Sequence, residues 1–129
     1  MGLFDRIFGS SAPSSIEQMM SVEKLNEVLG DSSKQPVVLY KHSNTCPSSF
    51  FSKREIEAVS DAFDGPIYEI VVQMARDVSN EIAGRFNIRH ETPQVIIVVN
   101  GEATYHQSHG GIRREGILKE LKPSVSRPD

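Results

Sequence analysis

One sulfur nucleophile is available to this chain. Cys46 is the single cysteine in 129 residues, and it lies in the stretch VVLYKHSNTCPSSFF, Val37 to Phe51. The apolar run Val37 to Tyr40 reads as a buried strand, and the residues after Cys46 read as the first turn of a helix. Pro47 suits the first helical position, where its fixed φ matches the helix and its missing N–H would have had no partner. Cys46 is therefore expected at or next to the helix N-cap. Helix N-termini present unpaired N–H groups and about half a positive charge, so a thiol placed there loses its proton more readily than a free one. The thiolate is the attacking species in disulfide exchange, which is the chemistry this stretch suits. With no second cysteine an internal disulfide is impossible, so the sulfur is either inert or reacts with something outside the chain. Burial as an inert residue is the commoner fate of a lone cysteine. The helix start, Pro47 and a separate Thr92-Pro93 pair argue for the reactive alternative.

Other chemistries find less support. His42, His90, His106 and His109 are of metal-ligating type, yet no pair has ligand spacing on one element with a second pair to match, so no metal site is expected. His106 and His109 read as solvated residues at a strand end, and Arg113-Arg114 as a solvated helix start. The 14 Lys and Arg are scattered among 17 Asp and Glu, giving a net charge of −3, so the chain has no basic footprint for nucleic acid. The Tyr and Phe residues lack interleaved basic residues and read as core. No apolar run approaches the roughly 18 residues of a membrane helix. The opening MGLFDRIFG has no hydrophobic signal region, and Arg6 stands where a myristoylation pattern needs Ser or Thr. Its Leu3, Phe4, Ile7 and Phe8 share a helical face and suggest a short surface helix or frayed end. An unpaired thiol fits a reducing, cytoplasmic setting.

The elements that must position Cys46 follow from pattern. Residues 1–15 read as a short amphipathic segment and the connector GSSAPSS, 16–122 as one domain, and 123–129 as a frayed tail. Ser21 to Leu29 reads as a helix with Ser21 as its cap and Val22, Leu25, Val28 and Leu29 on one face. After Cys46, Phe50, Phe51, Ile56, Val59 and Phe63 carry a second helix to the stop at Asp64-Gly65-Pro66. Pro66 to Met74 reads as a second core strand, buried on both faces. Arg76 to Phe86 reads as a helix with an N-cap at Ser79. Gln94 to Val99 is a third strand, Asn100-Gly101 a hairpin turn, and Ala103 to Gln107 the returning strand. Gly110-Gly111 breaks it, and Ile112 to Leu121 forms a last helix. The order predicts an α/β fold with two parallel central strands joined by a right-handed crossover and an antiparallel hairpin at one side.

That order, with Cys46-Pro47-Ser48-Ser49 after the first central strand and Thr92-Pro93 before the third, resembles the thioredoxin fold. More closely, YKHSNTCPSSF, RDVSNEIAGRFNIRHETPQVIIV and the Tyr105 to His109 stretch resemble the YtxJ-like monothiol bacilliredoxins, whose signature is a TCPxS loop. Ser48 departs from the pattern, where an aliphatic residue is expected. The resemblance covers about residues 20 to 121. It implies a thioredoxin-like mixed sheet of four to five strands with helices on both faces. It implies that Cys46 attacks mixed disulfides between client proteins and bacillithiol or a similar small thiol. Ser49 replaces the usual resolving cysteine, so a second thiol or a separate reductant must finish the reaction. Thr45 and Ser49 are expected to donate hydrogen bonds to the sulfur, and Thr92-Pro93, if cis, to offer backbone to the client. Lys41, Arg76 and Gly110-Gly111 are candidates for holding carboxylates of the small thiol. No resident cofactor, nucleic acid or membrane is implied. Two other classes remain: an iron–sulfur carrier, which with one thiol per chain needs a dimer and exogenous thiols, and a non-catalytic adaptor on the same scaffold.

Overall fold

The computed structural model describes residues 15–122, so the expectations for the N-terminal segment and the tail lie outside the described residues. In chain order the elements are β1 (Ile16–Gln18), α1 (Val22–Asp31), β2 (Val37–His42), α2 (Pro47–Ala62), β3 (Ile67–Val71), α3 (Arg76–Phe86), β4 (Gln94–Val99), β5 (Glu102–Ser108), a 3-10 turn (His109–Gly111) and α4 (Arg114–Leu121). One five-stranded sheet runs in the order β1-β3-β2-β4-β5. β3 pairs in parallel with β1 and β2, whereas β4 is antiparallel to both β2 and β5. This is the expected mixed sheet.

Because side chains alternate along a strand, the sheet feeds two cores. On one face Val37, Leu39, Ile70 and Ile96 pack against Leu25 and Val28 of α1 and Val78 and Ile82 of α3. On the other, Val38, Tyr40, Val95 and Ile97 pack against Ile56 and Val59 of α2 and Ile117 and Leu121 of α4. Burial on both faces explains why β2 and β4 read as nearly unbroken apolar runs.

Four details differ from expectation, among them an unforeseen β1 and the cap of α3, whose span matches. β1 was not legible, since three residues of which two are exposed carry little periodicity. β3 ends at Val71, and the residues through Met74 form a turn that aims Gln73 at the loop before Cys46. Helix α3 starts at Arg76 with Ala75 as its cap; Ser79 is fully buried inside it, with its hydroxyl on His90 Nδ1 at 3.1 Å. The last helix starts at Arg114, after a short 3-10 turn.

The hairpin turn needs both central residues at positive φ, and Asn100 at 53° and Gly101 at 77° supply it. A register shift follows between Ile97 and Val98, the signature of a β-bulge. The turn docks on Ser32, the buried C-cap of α1. Gly101 N–H donates to Ser32 Oγ at 2.8 Å, Asn100 N–H donates to the Ser32 carbonyl at 3.0 Å, and the Ser32 hydroxyl donates to the Leu29 carbonyl at 2.6 Å. Ser32→Ala strands a donor at that joint. We expect a loss of about 1–2 kcal/mol, seen as a lower denaturant midpoint at unchanged slope.

Candidate functional site

β2 delivers the chain to the edge of the sheet, and Cys46 is the N-cap of α2, with Pro47 in its first turn. The sulfur is partly exposed. Its nearest polar partner is Ser48, whose Oγ lies 3.1 Å from Cys46 Sγ. The thiol is held below its ordinary pKa, chiefly by that hydroxyl, against the opposing effect of desolvation. The backbone N–H groups of Ser48 and Ser49 and the Ser49 hydroxyl add smaller contributions in the same direction. Thr45 does not reach the sulfur: its Oγ1 meets Ser43 Oγ at 3.2 Å and accepts from Gln73 Nε2 at 3.3 Å. Gln73 also accepts from Asn44 N–H at 3.1 Å and donates to Ser43 Oγ at 2.9 Å, so one side chain clamps the loop from 43 to 45.

Beneath the first turn of α2 the sheet is polar. Tyr40 OH donates to the Ser49 carbonyl at 3.1 Å and lies 3.0 Å from His42 Nδ1. A phenol has one proton, so His42 is the donor in the second contact, which fixes its proton on Nδ1. Burial lowers the pKa of His42, with Glu69 opposing and Lys53 assisting, so the ring is neutral near pH 7. Burial, then Glu69, raises the pKa of Tyr40. Glu69 is itself buried and shared by Lys53 Nζ at 2.9 Å and Gln18 Nε2, with His42 Nδ1 3.7 Å away. This floor explains why the buried positions of α2 begin with Ser49 and Ser52 before turning apolar at Ile56 and Val59. It also explains why Phe50 and Phe51, expected in the core, face outward at 64% and 68% exposure.

The Thr92–Pro93 bond is cis. It enters β4 at the sheet edge that β2 leaves, since Gln94 pairs with Lys41. Thr92 is partly exposed and Pro93 buried. Lys41 is fully buried and points away from solvent: its Nζ donates to His90 Nδ1 at 3.1 Å, where Ser79 Oγ converges at the same distance. An ammonium can only donate, so Nδ1 is the acceptor and His90 is neutral, its pKa lowered by burial and by the Lys41 and Arg76 charges. Burial also brings Lys41 down to about 8. Arg76 is exposed at the start of α3. Gly110 and Gly111 are exposed in the 3-10 turn; a Cβ on Gly110 would enter open space, and one on Gly111 would meet the Gln107 side chain. Glu69 and Gln73 carry no signal in the sequence, because single polar residues in apolar or loop stretches have no periodicity, and Tyr40, His42 and His90 are legible there only as a core residue and as unpaired metal-ligating types. Ser48 was legible only as a departure from pattern.

An acidified, partly exposed thiol capping a helix on this five-stranded scaffold defines a thioredoxin-fold thiol-redox protein. The family described as monothiol bacilliredoxin BrxC matches residues 17–117, and the chain belongs to it. A solved protein described as having a thioredoxin fold is 29% identical, with 84% of this chain and 95% of that one covered and a TM-score of 0.78. The fold is shared with reduced Schistosoma mansoni thioredoxin, at 17% identity, 83% and 98% coverage and a TM-score of 0.68. Malassezia sympodialis thioredoxin is similar at 18% identity, 84% and 90% coverage and a TM-score of 0.67.

Two measurements probe this geometry. Ser48→Ala removes the largest acidifying contact, so the Cys46 pKa, followed by thiolate ultraviolet absorbance, is expected to rise toward its ordinary value. An unchanged pKa would assign the effect to the backbone N–H groups and the Ser49 hydroxyl. For Lys41, the folded value of about 8 lies below the ordinary 10.5, so the unfolded chain holds the extra proton between the two. Wild-type stability relative to Lys41→Met should therefore rise as pH climbs through that interval. A difference that stays flat would mean that the buried amine keeps its ordinary basicity.

Proposed function

We propose that this protein reduces mixed disulfides between client cysteines and a small thiol of the bacillithiol kind, with Cys46 as the attacking thiolate. The observation that carries this reading is the pairing of an acidified helix-cap thiol with the absence of any second cysteine in the 129-residue chain. The Cys46 thiolate attacks the small thiol's sulfur. The bond between the client and small-thiol sulfurs breaks, a disulfide joins Cys46 to the small thiol, and the client leaves as a thiolate that takes a proton from water. A second small-thiol thiolate, or a partner protein's thiol, then attacks this adduct and restores Cys46 while itself becoming oxidised. The small thiol is thus a co-substrate, and a reducing compartment such as the cytoplasm suits the cycle.

The site residues divide by role in this reading. Ser48 and the backbone N–H groups of Ser48 and Ser49 stabilise the thiolate, and Pro47 starts the helix that presents it. Tyr40 holds Ser49, while Gln73 holds Thr45. Partly exposed Thr92 offers backbone beside Pro93 for an extended client segment. Arg76 and the Gly110-Gly111 turn face solvent and are open to the small thiol; Lys41, enclosed with His90, supports the loop from within.

The test is intact mass spectrometry after mixing with a bacillithiolated client and no resolving thiol. Wild type is expected to gain one small-thiol mass as client is released, and Cys46→Ser to gain none and release none. Client release by Cys46→Ser would defeat the proposal. Glutathionylated and coenzyme A-modified clients in parallel rank the small thiols by adduct yield.

A further inference from the structure

Beside Cys46 the surface holds a cleft of about 310 Å³ between α2 and the start of α4. That volume is on the scale of sites for small ligands. Ser48 forms one of its walls, and the Ser48 hydroxyl is the group 3.1 Å from the sulfur. Ser48 therefore borders both the cleft and the nucleophile. A larger cleft of about 450 Å³, lined by Ala62 and Leu118, lies at the opposite end of α2, whose 16 residues span roughly 24 Å.

The lining has a direction. Ile112 is buried and the exposed Phe51 adds a second apolar wall, while Gly110 leaves open space where any side chain would narrow the entrance. Along α2 the lining runs from Ser48 to Glu55, roughly 10 Å farther along the helix, and Arg113 sits at the Glu55 end. Glu55 Oε1 already accepts from the Arg114 N–H at 2.7 Å, and the Arg113 Nε stands 3.9 Å from it. The other basic side chain in the lining, His109, has its Nε2 2.7 Å from Glu91 Oε1. Arg113 is two-thirds exposed and, among the described residues, its ion pair is that long contact, so its planar fork is the group open to take a carboxylate in two parallel hydrogen bonds.

We propose that this cleft seats the small-thiol half of the mixed disulfide, and that Arg113 selects thiols carrying a carboxylate arm. The inference rests on the proposed reaction of Cys46 and specifies its substrate. A carboxylate drawn to Arg113 sets the attached sulfur on the Ser48 side of the cleft, facing Cys46. Attack then falls on the small thiol's sulfur, and the client thiolate leaves.

One cysteine peptide, carried as its mixed disulfide with mercaptosuccinate, 2-mercaptoethanol or cysteamine, tests this. The readout is kcat/KM for peptide release with each conjugate, in wild type, Arg113→Ala and Arg114→Ala. Taking the ratio of mercaptosuccinate to mercaptoethanol between proteins cancels the intrinsic reactivity of each thiol. That ratio is expected to fall about fivefold in Arg113→Ala, the scale of an exposed charge contact, and to hold in Arg114→Ala, which removes the same charge outside the cleft. The cysteamine ratio should hold or rise in Arg113→Ala. Equal ratios in wild type and Arg113→Ala, or an equal fall in Arg114→Ala, overturn the subsite while leaving the Cys46 reaction standing. Failure of wild type on all three conjugates overturns both.

Discussion

The Tyr40 hydroxyl, buried in the layer between the sheet and α2, reaches the Ser49 carbonyl at 3.1 Å and ties the start of that helix to the central strand. Cys46 depends on this tie. A helix N-terminus acidifies a thiol only if its N–H groups stay aimed at the sulfur, and a frayed first turn would lose that aim. The tie in turn needs a polar floor, because a buried phenol must find partners. Neutral His42 and the Lys53-paired Glu69 supply it, and together they keep charge beneath the site balanced.

A second polar group lies on the opposite face of the same strand. Lys41 and Tyr40 are adjacent in sequence and point to opposite sides of β2, one toward His90 and Ser79, the other toward α2. The first braces the approach to Thr92-Pro93; the second braces Cys46. One strand therefore orients both halves of the site. The two groups differ in kind, since the floor under Cys46 contains a carboxylate paired with a cation, whereas the Lys41 cluster has no acid among its contacts. Desolvation there acts on an amine with only neutral acceptors, which is why its basicity drops.

Much of this architecture was legible before any coordinates. Apolar runs marked β2 and β4, helical spacing marked α1 to α3, and Asn100-Gly101 marked the hairpin, because each depends on local conformation or on a periodic buried face. The helix cap at Cys46 was legible for the same reason: proline and a strand end constrain it locally. What escaped was long-range. Gln73 lies 27 residues beyond Cys46 in the chain, and Glu69 reads as one acid inside an apolar strand. Phe50 and Phe51 were misplaced because hydrophobicity alone suggests burial, while the polar floor beneath them admits serine and turns the rings outward. Serine favours a helix cap, but burial beside His90 claims Ser79 instead.

The sheet's outer margins bear on how the protein keeps to itself. β1 offers three residues, too few to template a neighbour. On the other flank β5 is longer, but the bulge opposite Ile97 and Val98 twists it, and Glu102 and His106 are solvent-facing along it. Amyloid-like stacking wants a flat, uncharged, apolar ribbon, and this border is none of these. An extended chain that meets either border finds a strand too short or too twisted to lengthen.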